Sequence, residues 1–303
     1  MKKTDKNSPF NRQGDYETFV VEQEQPLLEF LLANVKTLSK SKVKLTLQGR
    51  GVTVNGKQIT QFDYPLKPGT KVAVSRSKKN NEGLRSRYVR IVYEDRWLVV
   101  VEKQTGILSM AAGHSSLNVK TVLDDYFRKT RQRCTAHVVH RLDRDTSGLM
   151  VYAKDKQVEQ MMEHNWHQMV YDRRYVAVVS GQMEQDSGTV ESYLKDNKAY
   201  ITYSSPVDNG GKLAITHYFT LDRSADFSLV EYKLETGRKN QIRVHSADIG
   251  HPVCGDVKYG NGDDPIGRLC LHAFLLCFEH PVTHQRLEFE TPLPKPFTDL
   301  FRK

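Results

Sequence analysis

Leu27, Leu28, Leu31, Leu32 and Val35 recur at the spacing of one helix face, which predicts an amphipathic helix early in the chain. Residues 1–20 ahead of it are polar and mixed, and read as a flexible lead-in. Leu38-Ser39-Lys40-Ser41-Lys42 reads as a turn into a second helix, with Ser39 as N-cap, Val43 and Leu47 on one face, and Gly49-Arg50-Gly51 as its end. Val52-Thr53-Val54 predicts a strand, Asn55-Gly56 is the favoured two-residue hairpin turn, and Lys67-Pro68-Gly69-Thr70 turns the chain into Val72-Ala73-Val74. Residues 21–76 are therefore expected to form a small α+β module. Residues 77–87, with Lys78-Lys79-Asn80-Asn81 and few apolar groups, read as a linker.

The pattern changes over 88–303. Trp97 to Val101 predicts a buried strand, and Val119, Val122, Leu123, Tyr126 and Phe127 predict a helix face. Leu149 to Ala153 is an apolar strand, followed by a helix carrying Val158, Met161, Met162 and Met169. Tyr175 to Val179 is another strand. Val230, Tyr232 and Leu234 alternate with Glu231, Lys233 and Glu235, as in a strand with one wet face. Ala273 to Phe278 and Leu287 to Phe289 complete the series. Strands outnumber helices and come in runs, so the expected class is α+β, a mixed, largely antiparallel sheet flanked by helices.

Composition agrees with folded cores, since 38% of the 303 residues are hydrophobic and 9% aromatic. No run of about 18 apolar residues suggests a membrane span. The charged start, Met1 to Lys6, has no apolar stretch behind it, so no secretory signal is expected. Cys134, Cys254, Cys270 and Cys277 form no CxxC pair and read as reduced thiols of a cytoplasmic protein. His164 and His167 lack the neighbours of a zinc set, so no metal is expected.

The formal charge of +9 is unevenly distributed. Residues 1–87 hold 17 basic and 8 acidic residues, whereas 88–303 hold 28 of each. Between Lys36 and Arg87, 13 basic residues face only Asp63 and Glu82. A local block of this size suggests a polyanion partner, against the blander reading of a lysine-rich solvated surface.

Three segments concentrate polar groups between apolar strands. In His140-Arg141-Leu142-Asp143-Arg144-Asp145-Thr146-Ser147-Gly148, two carboxylates interleave with arginines just before a buried strand. That is either a functional loop held by a rigid strand or a structural ion-pair turn. Ser147 has no GxSxG elbow around it. In Thr236 to His245, Gly237 can release the preceding strand and Asn240 can cap a helix that opens near Arg243 and ends at Gly250. Arg238 and Arg243 there suit phosphates or surface pairs. Arg173-Arg174-Tyr175 puts a tyrosine at a strand mouth, commonly a core position.

HRLDRDTSGLMVYAKD, RRYVAVVSG, LETGRKNQIRVHSADIGHPVCGDVKYG and Arg268 to Ala273 followed by His280-Pro281 resemble, in this order, the RluA/RluD-type pseudouridine synthases. The likeness runs from about Val89 to Phe301. The basic module, with its leucine helix, SKSK turn and VTVNGK hairpin, resembles the S-four-like RNA-binding domain of ribosomal proteins. The resemblance implies isomerisation of uridine in RNA without a cofactor. It assigns the catalytic aspartate to Asp143, its pairing arginine to Arg243, and the tyrosine that stacks on the uracil and helps remove the carbon-5 proton to Tyr175. Ile242 matches an aliphatic residue on the base's other side and Arg141 an arginine that helps fill the space of the flipped nucleotide; Arg238 is expected as a further substrate-binding residue. Lys40, Lys42, Lys44, Arg50 and Lys57 become the module's expected RNA contacts.

There are departures from the family pattern. Lys239-Asn240 stands where many members carry Thr-His, Arg173 where lysine is usual, and Gln104 where proline commonly follows the lysine. Large-subunit ribosomal RNA is the expected substrate of a monomeric enzyme. Transfer RNA, or a catalytically silent RNA-binding or ribosome-assembly factor, are the alternatives.

Overall fold

The computed structural model describes residues 16–48, 51–75, 84, 86–110 and 117–302. These divide into two compact units. The first contains β1 (Tyr16–Val20), β2 (Gln25–Pro26), α1 (Leu27–Asn34), α2 (Lys40–Gln48), β3 (Val52–Val54), β4 (Lys57–Gln58), β5 (Pro65–Leu66) and β6 (Lys71–Ser75). Four of the strands form a sheet in the order β1-β6-β3-β4. Leu27, Phe30 and Leu31 of α1 and Val43 and Leu47 of α2 are buried with Val52, Phe62, Leu66 and Val72 in one core. Ser39 receives the Lys42 N–H at 3.4 Å, and Asn55 and Gly56 both adopt positive φ, as their hairpin turn requires.

Residues 16–20 correct the expected lead-in. They pair antiparallel with β6 over Tyr16↔Ser75 to Val20↔Lys71. Phe19 packs edge-on against Phe30 with ring centroids 6.1 Å apart, a long-range contact that the polar surroundings of this segment conceal. The unit also draws in Tyr93–Arg96 and Asp125–Arg133, which include the ends of two elements, a strand and a helix, given below with the second unit. Phe62 meets Tyr93 edge-on at 6.0 Å, and Glu94 accepts hydrogen bonds from Tyr126 and Gln132, each at 2.7 Å. The expected helix end at Gly49-Arg50, and most of the expected linker, lie outside the described residues.

The second unit is built on an eleven-stranded sheet. Its elements are β7 (Val89–Glu94), β8 (Leu98–Lys103), α3 (Val119–Lys129), β9 (His137–Val138), β10 (Ser147–Ala153), α4 (Lys156–His164), α5 (Trp166–Met169), β11 (Val170–Ser180), β12 (Ser187–Asp196), β13 (Thr202–Ser205), β14 (Lys212–Arg223), β15 (Phe227–Leu234), α6 (Gln241–Asp248), β16 (Leu271–Glu279), β17 (Arg286–Glu290) and α7 (Lys295–Thr298). The order is β13-β12-β14-β15-β11-β16-β10-β8-β7, with β9 on β10 and β17 on β16. β10, β16, most of β8 and the Tyr175–Ser180 half of β11 are the buried centre. β12 to β14 escape the hydrophobic pattern because their faces are largely wet.

Two details position the site. β10 and β16 meet in parallel through Ser147↔His272 and Gly148↔Ala273. Gly148 has φ +123°, and a Cβ there would lie 2.2 Å from the Ala273 carbonyl oxygen, so only glycine permits this approach. In β11 the register against β16 shifts between Arg174 and Tyr175, a bulge that re-aims the tyrosine. The single helix expected over Val158–Met169 is two, because Asn165 breaks it with φ −109° and ψ 16°. Asp155 caps the first by accepting the Val158 N–H at 2.9 Å.

Candidate active site

The loop before β10, the bulged mouth of β11 and the start of α6 surround a cavity of about 490 Å³. Arg141, Leu142, Asp143 and Thr146 come from the loop, Tyr175 from β11, and Arg238, Ile242 and Arg243 from the turn into α6. Six of the expected site residues, more than a hundred positions apart at the extremes, thus share one pocket.

Asp143 retains 30% side-chain exposure and accepts a hydrogen bond from Arg243 Nη1 at 3.1 Å. Arg243 is 12% exposed and has a second, stronger partner. Its Nε and Nη2 donate to the two oxygens of fully buried Asp256 at 2.6 and 2.7 Å, a bidentate clamp. Asp256 also accepts the backbone N–H groups of Lys258 and Tyr259 at 2.9 and 3.0 Å. Burial alone would lower the basicity of Arg243, but Asp256 and then Asp143 more than reverse this and raise it. Asp256 shows the mirror image, with burial opposed and outweighed by Arg243, so its carboxyl lies below the usual range. The guanidinium is thus a fixed cation, anchored on one side and presenting Nη1 to Asp143 on the other.

Asn240 corrects an expectation. It occupies the residue before α6 with φ +55°, but its side chain makes no capping bond. Its Oδ1 accepts from Arg243 Nη1 at 3.0 Å and its Nδ2 donates to the Tyr259 hydroxyl at 3.0 Å. The guanidinium lies 5.1 Å from the Tyr259 ring centre.

The two carboxylates of the loop divide the two readings of that segment between them. Asp145 pairs with its neighbour Arg144 at 3.0 Å, and its carbonyl accepts from Thr105 at 2.9 Å. The loop is held from beneath by fully buried Lys103, whose Nζ donates to the carbonyls of Gln104, Ile107 and Arg144 at 3.0, 2.9 and 2.8 Å. Burial brings Lys103 down to about 8, against the pull of Asp145 and Asp143. Ser147 is buried between His272 Nδ1 at 2.8 Å and Arg268 Nη2 at 3.1 Å, a structural role without access to substrate.

Tyr175 and Ile242 are 9% and 4% exposed and give the cavity its apolar walls. Burial raises the Tyr175 phenol, with Arg173 opposing and Asp143 adding to the rise, so the ring stays neutral at physiological pH. Arg141 is exposed at the rim, while half-buried Arg238 donates Nε to the Leu213 carbonyl at 2.8 Å.

Residues 97–248 match the family described as RNA pseudouridylate synthase, a stretch that includes Asp143, Tyr175 and Arg243. The chain belongs to this family. It is 36% identical to the RNA pseudouridine synthase YjbO of Bacillus subtilis, over 84% of this chain and 90% of that one. It is 33% identical to the ribosomal large subunit pseudouridine synthase D of Neisseria meningitidis, over 84% and 72%. Among solved structures it resembles human RNA pseudouridylate synthase domain containing 1, with 26% identity and a TM-score of 0.57 over 67% of this chain and 83% of that one. This pseudouridine synthase is therefore an isomerase acting on RNA.

Asp256 and Lys103 are the site residues that sequence reasoning missed. Asp256 stood inside the quoted HPVCGDVKYG run, after Gly255, whose positive φ and 2.0 Å Cβ approach to the Arg268 carbonyl oxygen mark a constrained turn. Of the expected RNA contacts in the first unit, Lys40, Lys42 and Lys57 are exposed and Lys44 is half-buried, while Arg50 lies outside the described residues.

Proposed function

We propose that Asp143, Arg243 and Tyr175 carry the isomerisation, and that the substrate is a uridine of large-subunit ribosomal RNA. The bond between N1 of uracil and the sugar's C1′ breaks, the base turns, C5 bonds to C1′, C5 loses its proton and N1 gains one. Asp143 supplies the negative charge that this cleavage calls for on the sugar side. Arg243 pairs with that charge and holds the carboxylate in place. Tyr175 and Ile242 hold the planar base between apolar walls, and a neutral phenol serves as a proton relay rather than a standing base. A paired uridine cannot enter such a cavity, so the target leaves its stack, at a cost of a few kcal/mol. The single observation that carries this reading is Arg243 bridging buried Asp256 and partly open Asp143 at the cavity wall.

The ribosomal preference rests on the names of relatives and on the basic first unit, read as an S-four-like RNA-binding module. Lys40, Lys42, Lys44, Arg50 and Lys57 are its proposed phosphate contacts. Asp143→Asn is expected to abolish pseudouridine formation while RNA affinity stays within a few-fold. Pseudouridine mapping by carbodiimide-dependent reverse-transcription stops, in ribosomal and transfer RNA from cells with and without the gene, tests both assignments. Retained activity in Asp143→Asn rejects the mechanism, and a stop lost from transfer RNA instead rejects the substrate.

A further inference from the structure

A second cavity, about 430 Å³, opens beside the catalytic one and shares Arg141, Tyr175, Leu234, Gly237 and Arg238 with it. Its other wall is aromatic and basic. Asn165 breaks the helix and starts α5 at Trp166, whose indole lies against the His140 ring with centroids 4.8 Å apart and planes inclined by 34°. His140 cannot move away, because its Nε2 accepts the Val151 N–H of β10 at 3.0 Å. Burial, and then Arg173, hold its pKa at about 3, so the ring is neutral. Trp166 itself is only half-buried and lines the cavity.

The charges are unusual for a protein surface with no partner. Half-buried Arg173 lies so close to Gly237 that a Cβ there would come within 2.8 Å of its Nη1. Neither Arg173 nor Arg141 has a hydrogen-bonding or ion-pairing partner among the described residues, although almost every other arginine of this unit does. Among the described residues, Glu163 on the rim is the one carboxylate lining the cavity, against Arg141, Arg173 and Arg238. A guanidinium held half-buried without a carboxylate is suited to an anion that arrives from outside.

We propose that this cavity is a second nucleotide subsite, in which a base neighbouring the target uridine stacks on Trp166 while the intervening phosphate is held by Arg173 and Arg141. The inference rests on the RNA-modifying reading above and adds to it: the enzyme takes out at least two adjacent nucleotides and reads the flank through a stacking platform. Such a platform tolerates any base, since every base offers a π-face, so it selects for an unpaired flank rather than for a sequence.

The chain has two tryptophans, Trp97 and Trp166, and Trp97→Phe makes Trp166 the sole tryptophan, whose emission is read with tryptophan-selective excitation. In that background, the RNA heptamer AAAUAAA is expected to quench the emission saturably, while uridine 5′-monophosphate, which reaches the catalytic pocket alone, is not. By anisotropy of labelled heptamer in the otherwise unaltered protein, Trp166→Ala weakens binding about tenfold, as loss of one stacked base commonly does, and Trp166→Phe restores most of it. Arg173→Gln lowers the slope of affinity against salt by about one. Heptamer binding with unchanged Trp166 emission, binding by Trp166→Ala within about twofold of wild type, full quenching by the mononucleotide, or no binding of the heptamer overturns the proposal. Asp143→Asn protein separates the two readings: it must quench as well as its parent. If it still forms pseudouridine, the catalytic assignment fails and the subsite stands.

Discussion

Arg243 commits Nε and Nη2 to Asp256 and leaves Nη1 to Asp143 and Asn240. The division matters because a guanidinium bound only to Asp143 would swing with it. Anchored on a carboxylate that is itself buried, it presents a positive charge at a set position before any RNA arrives, which is electrostatic preorganisation. Asp256→Asn keeps the shape and removes the anchor's charge. It is expected to cost about 3 kcal/mol in urea unfolding, as breaking a buried pair does, and to lower kcat at least about tenfold with RNA affinity little changed. A kcat equal to wild type would make Asp256 a bystander. Asp143, Tyr175, Ile242 and Arg243 were legible from sequence because each sits within an extended motif. Asp256 was not, since nothing local tells which carboxylate a guanidinium thirteen residues away will choose.

At the scale of elements, the parallel meeting of β10 and β16 sets the loop that carries Asp143. It stacks Ser147 on His272, whose Nε2 in turn contacts the Thr291 hydroxyl at 2.9 Å. On α6, His245 bonds Ser192 and Thr216 at 3.0 and 2.8 Å. Burial lowers both histidines to about 4, with Arg268 adding to the shift of His272. The unfolded chain binds these protons near pH 6.5 and the folded chain only near 4, so between those values the unfolded state holds more protons. Stability is therefore full above pH 6.5 and falls as pH drops toward 4, by up to roughly 3 kcal/mol for each histidine. Urea midpoints at pH 7 and 4.5 measure this. His272→Gln is expected to be less stable at pH 7 yet to show a shallower acid loss, and an unchanged loss would remove His272 from the account. Strand and helix periods announced β8, β10, β11, β16 and α1 to α3, whereas the break at Asn165 was hidden because Met169 continues the apolar spacing of α4.

Over the whole molecule, the positive excess sits in the first 87 residues and the catalytic unit is close to neutral. On the proposed reading, affinity for a polyanion and chemistry on one nucleotide are supplied by different parts of the chain. Replacing Lys40, Lys42 and Lys44 together by glutamine should lower the slope of log affinity against log salt by roughly 2, about 0.7 per phosphate contact, with little change in turnover of bound RNA. An unchanged slope would mark these lysines as a solvated face. The sequence by itself determined the α+β class, the basic module ahead of a neutral body, the family and the charged residues at its core, because periodicity, charge and motif are properties of neighbours along the chain. Only the tertiary structure decided that residues 16–20 complete a sheet, that Asp256 anchors Arg243, that Lys103 supports the loop from below and that Trp166 stands beside the catalytic pocket. Each of those depends on which distant segments meet, and that is set by packing of the whole core rather than by any local pattern.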